Sequence, residues 1–173
     1  ARPTNLLKNP AMDLAGDKGA PTGWADFSWG QNARNLSTGN ENGNRFARMQ
    51  IDSVTGGWVR VGQKIALVPG KTYRVSVRLK SDKPDLGMRF GVMNQEKPFP
   101  ELFAEAVVVD DNWTEYSAIF DRTAKFGNLN FWIRTTTRAE FCVDDAAIVD
   151  LTALKSDAEP MKGNLVANGS FEG

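Results

Sequence analysis

The sequence predicts an all-β protein, a two-sheet antiparallel β-sandwich of jelly-roll type. Three observations carry this reading. Short segments alternate apolar and polar residues with a period of two, the pattern of half-buried strands. Gly, Pro, Asn and Asp separate those segments at regular intervals. No stretch sustains a helical period, a single turn over 99–104 aside.

In chain order, Pro21-Thr22-Gly23-Trp24 reads as a turn into an aromatic segment that runs to Trp29. Residues 34–44, rich in Asn and Gly, read as a loop. Arg45 to Ile51 alternates, with Ala47, Met49 and Ile51 on one side. Over 58–67, Val59, Val61 and Ile65 share a face, and Trp58, Arg60 and Lys64 share the other. Val68-Pro69-Gly70-Lys71 is a turn of the kind that favours Pro then Gly. Thr72 to Lys80 points Tyr73, Val75, Val77 and Leu79 inward and Arg74, Ser76, Arg78 and Lys80 outward. Met88, Phe90 and Val92 form the next inward set, opposite Arg89, Gly91 and Met93. Glu105 to Val109 is a short apolar strand, and Trp113 to Phe120 another, with Trp113, Tyr116 and Phe120 assigned to the core. Leu129, Phe131 and Ile133 face one way, Asn130, Trp132 and Arg134 the other.

The last strand, Glu140 to Leu151, embeds a pair of carboxylates, Asp144 and Asp145, in an apolar run. A buried carboxylate needs a partner. Calcium is ligated by oxygen atoms alone and would serve. Strict alternation sends Asp145 to the face opposite Asp144, which leaves Asp144 as the better ligand.

Composition narrows the function. The chain has 173 residues, enough for one domain with a full core. Lys+Arg and Asp+Glu each total 21, so net charge is zero and bulk attraction to nucleic acid is not expected. There is no His to serve as general base or zinc ligand. The one cysteine, Cys142, cannot form an intrachain disulfide and reads as a small buried residue. No apolar run is long enough for a membrane-spanning helix.

The two ends of the chain repeat one pattern. Asn5-Leu6-Leu7-Lys8-Asn9-Pro10-Ala11-Met12-Asp13 returns as Asn164-Leu165-Val166-Ala167-Asn168-Gly169-Ser170-Phe171-Glu172. The expected organisation is therefore a module over 1–152, a polar linker over 153–163, and the start of a second, similar module at 164–173.

Several of these motifs, in this order, resemble a known group. They are Asn5-Leu6-Leu7-x-Asn9 with Asp13, Pro21-x-Gly23-Trp24, Gly70-x-x-Tyr73 opening a basic alternating strand, Trp113-x-x-Tyr116-x-x-x-Phe120, and Phe141-x-Val143-Asp144-Asp145. Together they resemble the β-jelly-roll carbohydrate-binding modules of families 4, 9, 16 and 22, over residues 5–151. The resemblance implies a galactose-binding-like jelly roll. It also implies a non-catalytic, secreted or cell-surface module, linked to a polysaccharide-degrading enzyme and often present in tandem. Such modules commonly hold a structural calcium. By position its ligands would be Asp13 (where Glu is usual), the Ala11 carbonyl and Asp144, with loop carbonyls from around 40–44 completing the shell.

The expected ligand is a β-linked polysaccharide of glucan, mannan or xylan type. The sugar platforms follow from the tryptophans. Trp132 reads as an exposed indole beside Asn130 and Arg134, and an indole face suits the CH-rich face of a pyranose ring. Trp58 shares its face with Arg60. The resemblance puts Trp24 and Trp29 near one end of the cleft. Arg60, Arg89 and Arg134 are the polar candidates, because a guanidinium can fork onto vicinal hydroxyls or a uronate; Gln95 is a further one. A monomer that contacts neither nucleic acid nor membrane is expected. A structural spacer or adhesion sandwich is the alternative. A glycan-cleaving jelly roll is the other, with Glu101, Glu105, Asp110 and Asp111 as the nominees. No strand, however, carries acids alternating on one exposed face.

Overall fold

The computed structural model describes residues 5–12, 20–121 and 128–152. Its ten strands are β1 (Ala25–Asp26), β2 (Asn32–Glu41), β3 (Asn44–Val54), β4 (Val59–Ile65), β5 (Thr72–Ser81), β6 (Leu86–Asn94), β7 (Glu101–Val109), β8 (Thr114–Asp121), β9 (Leu129–Thr135) and β10 (Glu140–Asp150). They form two five-stranded antiparallel sheets, ordered β1-β4-β9-β6-β7 and β2-β3-β10-β5-β8. The chain changes sheet repeatedly after β5, so most neighbours in a sheet are distant in sequence. This is the expected sandwich. Asp13, the linker 153–163 and the repeat at 164–173 lie outside the described residues.

The alternation read from sequence places the core. Tyr73, Val75, Val77 and Leu79 of β5 meet Phe90 and Val92 of β6 and Phe131 and Ile133 of β9 between the sheets. The sandwich is closed at one side by rings. Phe103 of β7 stacks on Phe120 of β8 at 4.7 Å and 9°, and Tyr73 and Phe90 pack beside them. Cys142 is buried on β10, and burial pushes its thiol up to about 11.

Four local expectations are corrected. Residues 34–44 are not a loop but most of β2 and its turn into β3. Asn42-Gly43, both at positive φ, make the two-residue turn that Asn-Gly favours between antiparallel strands. Gly39, which reads as a strand breaker, is where the Phe46 ring lies; a Cβ there would come within 2.5 Å of the ring's Cζ. Residues 101–104 are not a helical turn but the start of β7, paired with β6. Trp113 is not in the core. It is half-buried against the outer face of the second sheet, edge-on to Phe46, with Arg78 and Lys80 over its ring. Finally, a bulge between Asp144 and Ala147, with Asp145 at φ 45°, breaks the alternation. Asp145 therefore turns out to solvent and pairs with Arg78 at 3.1 Å, while Ala146 enters the core.

Candidate functional site

The outer face of the β1-β4-β9-β6-β7 sheet can be built row by row from its register. Arg60, Arg134 and Arg89 stand side by side on β4, β9 and β6. In the next row Trp132 stands between Gly62 and Gly91, and in the next Asn130 stands between Lys64 and Met93. A Cβ on Gly91 would lie 2.9 Å from the Trp132 indole, so the glycine leaves the indole room to lie across the sheet. Phe27 covers the Gly62 side in the same way.

Above this floor the aromatic side chains are layered with cations. The Arg134 guanidinium carbon lies 4.3 Å from the Trp132 ring centre and 5.2 Å from that of Trp58. Arg60 lies 5.3 Å from the Trp58 ring centre. Such contacts strengthen when water is excluded. Trp29 is outermost, tilted against Trp58 at 5.3 Å. Its backbone is clipped to that of Trp58 by two hydrogen bonds, 3.0 and 2.8 Å, and Asn32 Nδ2 donates to the Trp29 carbonyl. The aromatic platform thus stands on a braced loop.

Phe27, Ser28, Trp29, Trp58, Arg60, Met93, Gln95 and Phe99 enclose a groove of about 440 Å³. Trp29 is 63% exposed and Phe99 47%. Phe99 sits in the β6–β7 loop at φ 59°, an uncommon conformation for a bulky side chain. The groove is mostly apolar, and unpaired polar atoms lie in and beside it. Trp58 Nε1, Gln95 Nε2, Asn130 Oδ1 and Trp132 Nε1 are buried without a hydrogen-bond partner, four of the five such side-chain atoms among the described residues. Buried polar atoms are normally paired. All four lie on this side of the molecule: Trp58 and Gln95 line the groove, and Trp132 and Asn130 stand in the sheet rows beside it.

The electrostatics are equally local. Arg60 is 6% exposed. It donates to the Phe27 carbonyl at 3.2 Å and contacts the Met93 sulfur at 2.7 Å, and among the described residues no carboxylate pairs with it. Burial first, then the charge of Arg134, pulls its guanidinium down to about 10, while Glu101 opposes the shift. Arg134 is paired to Glu101 at 2.7 Å. Arg89 is exposed and shares a second hollow, of about 470 Å³, with Arg134, Val108 and Thr136.

The sequence-predicted residues separate accordingly. Trp29, Trp58 and Arg60 converge on the groove, with Arg134 behind them and Arg89 one strand further on. Trp132 is not exposed as alternation had it; it is 0% exposed beneath Arg134 and forms the floor. Trp24 does not line the groove. It is buried, edge-on to Phe131, with its Nε1 donating to the Asn9 carbonyl at 3.0 Å. Phe27 and Phe99 also line the groove and are absent from the sequence-predicted set. Phe99 had a signal, since an aromatic between Pro98 and Pro100 cannot hide in a strand ladder. Phe27 had one too, sharing strand parity with Trp29.

Of the acids nominated for catalysis, Glu101 is tied to Arg134, and Asp110 accepts a hydrogen bond from the Asp85 amide in the loop after β7. Asp144, the proposed metal ligand, is buried on the outer face of the other sheet. Its oxygens accept from Asn44 Nδ2 and the Asp145 amide, both at 2.9 Å. Burial, the largest influence, raises its carboxyl above the ordinary range. The Ala11 segment lies beside it, because the Pro10 carbonyl accepts from the Ala146 amide.

A family model described as a carbohydrate binding domain, CBM_4_9, matches residues 6–139. No curated protein matches the chain. Among solved structures, "CBM4 structure and function" superposes with a TM-score of 0.64 at 18% identity, over 83% of this chain and 99% of the other. "Family 16 Carbohydrate Binding Module-2" gives 0.58 at 20%, over 84% and 99%. The family 11 carbohydrate-binding module from Clostridium thermocellum, in complex with a β-1,3-1,4-mixed-linked tetrasaccharide, gives 0.57 at 12%, over 79% and 94%. At these identities the superpositions establish the fold.

Proposed function

The chain belongs to the carbohydrate binding domain family whose model spans residues 6–139, and from that premise we propose that it is a non-catalytic module that holds β-linked polysaccharide in the groove around Trp29 and Trp58. One observation carries the site assignment: an apolar, aromatic groove and four unpartnered buried polar atoms fall on the same sheet face. A pyranose ring offers the complement, an apolar face for stacking and a rim of hydroxyls for Trp58 Nε1, Gln95 Nε2 and Asn130 Oδ1. Glucan, mannan and xylan chains all present that chemistry. The module would serve a secreted or cell-surface glycan-degrading protein as a monomeric unit, beside a catalytic domain and a second copy begun at 164. Tethered copies raise avidity without new contacts.

The magnitudes suit reversible binding. Covering roughly 100 Å² of one indole is worth at most about 2.5 kcal/mol. After the cost of association, two platforms leave an affinity of about 1 μM to 1 mM. Affinity electrophoresis on soluble glucan, mannan and xylan tests the reading. Retardation on at least one is expected. Free migration on every glycan would leave a spacer sandwich instead.

The proposal includes a structural calcium held by Asp144, the Ala11 carbonyl and Asp13. Asp144 fits, being a buried carboxylate with no cationic side chain in ion-pair range among the described residues. Among those residues no three acidic, His or Cys side chains gather, so carbonyl oxygens and Asp13 would complete the shell. The ion would pin the N-terminal segment to β10 and add stability by linkage. Chelation should lower the melting temperature by about 5–10 °C, the equivalent of ~2.7 kcal/mol at a hundredfold excess over Kd. An unchanged transition rejects the ion.

A further inference from the structure

The arginine row goes beyond what a neutral sugar chain requires. Arg60, Arg134 and Arg89 occupy adjacent positions on β4, β9 and β6, two inter-strand steps of ~4.8 Å each. Among the described residues, the acid paired to this row is Glu101, held by Arg134. Arg60 is buried and lines the aromatic groove; Arg89 is exposed and lines the adjoining hollow; Arg134 adjoins both. Three guanidiniums therefore share one carboxylate on a chain whose net charge is zero. A buried cation without a counter-charge is costly, and like charges on neighbouring strands repel. Stacking on Trp58 and Trp132 offsets part of that cost but supplies no counter-charge.

We propose that this face selects anionic glycans, binding chains whose sugar rings carry carboxylates. The inference rests on the glycan-binding reading above and names the substrate class of the same site. A uronate ring stacked in the groove keeps an apolar face for Trp29 and Trp58, while its carboxylate extends from the ring edge toward the arginine row. The planar guanidinium matches a planar carboxylate through paired hydrogen bonds, which it cannot do with a lone hydroxyl. Arg60, without a paired carboxylate among the described residues, would gain one. Arg89, on the hollow side, would meet the carboxylate of a neighbouring ring in the same chain.

The test uses affinity electrophoresis on polymannuronate, a β-linked polyuronate, on the same polymer with its carboxyl groups reduced, and on dextran sulfate. Retardation should be roughly tenfold stronger on the uronate than on its reduced form at low salt. That ratio should fall as salt rises from about 0.01 to about 1 M, over which the screening length shrinks from ~30 to ~3 Å. Arg89→Gln should lower the ratio, leaving the part that Arg60 and Arg134 supply. Arg74→Gln, at an exposed position on the other sheet, should leave the ratio intact. A ratio of one in the wild type, or equal retardation on dextran sulfate, overturns carboxylate selection. If neutral chains still retard the protein in that case, the glycan-binding reading survives. If no glycan retards it, both readings fall.

Discussion

Trp29→Ala is expected to weaken glycan binding about ten- to fiftyfold, or about 1.4–2.3 kcal/mol, just under the ~2.5 kcal/mol ceiling for one indole face, and to leave the melting temperature within about 1 °C. The separation of the two effects follows from exposure. At 63% exposed, Trp29 contributes little to the packed interior. Its backbone links to Trp58 and Asn32 survive the substitution, since they use main-chain atoms of residue 29. Trp58→Ala would lower affinity at least as much but is the less clean experiment. Trp58 is half-buried and stacks with both Arg60 and Arg134, so its removal disturbs the charged layer beneath. Parallel affinity electrophoresis and thermal melts decide the matter. Wild-type affinity in the Trp29 variant would remove the groove from the binding site.

Trp132→Ala should act in the opposite sense, lowering stability by about 3 kcal/mol, near the low end for a large buried aromatic. For a domain of this size that is about 6–12 °C in Tm. The low end is expected because the indole lies under Arg134 rather than between the sheets. Water can enter part of the space it leaves, and the guanidinium can settle toward the sheet. Gly62 and Gly91, which have no side chains to fill the gap, prevent full recovery. A melting scan and a denaturant titration measure the loss. A variant with wild-type Tm whose only defect is binding would return Trp132 to the role of exposed platform.

The contrast between these two tryptophans shows where local pattern stops being informative. On β9, alternation correctly assigns Phe131 and Ile133 to one face and Trp132 to the other. It is silent about what lies above that other face. There Trp132 meets a guanidinium from its own strand, and Phe27 and Trp58 come in from elements far away in sequence. Gly39 shows the same limit from the other side. It suggests a loop in isolation, yet its empty side-chain position is filled by Phe46 from the paired strand. The bulge at Asp145 is a third case, because one extra residue reverses the parity of everything after it.

What the sequence determined by itself is the sandwich: the strands of the core, their inward residues, and the presence of aromatic and arginine side chains on outward positions. Those follow from strand periodicity, which is a property of consecutive residues. The tertiary structure alone decided which outward positions share a face. Register placed three arginines in one row, buried one tryptophan and exposed another, and sent Trp24 to the core. The physical reason is that a binding groove is made by strands that become neighbours only when the two sheets assemble, and no local pattern records which neighbours those will be.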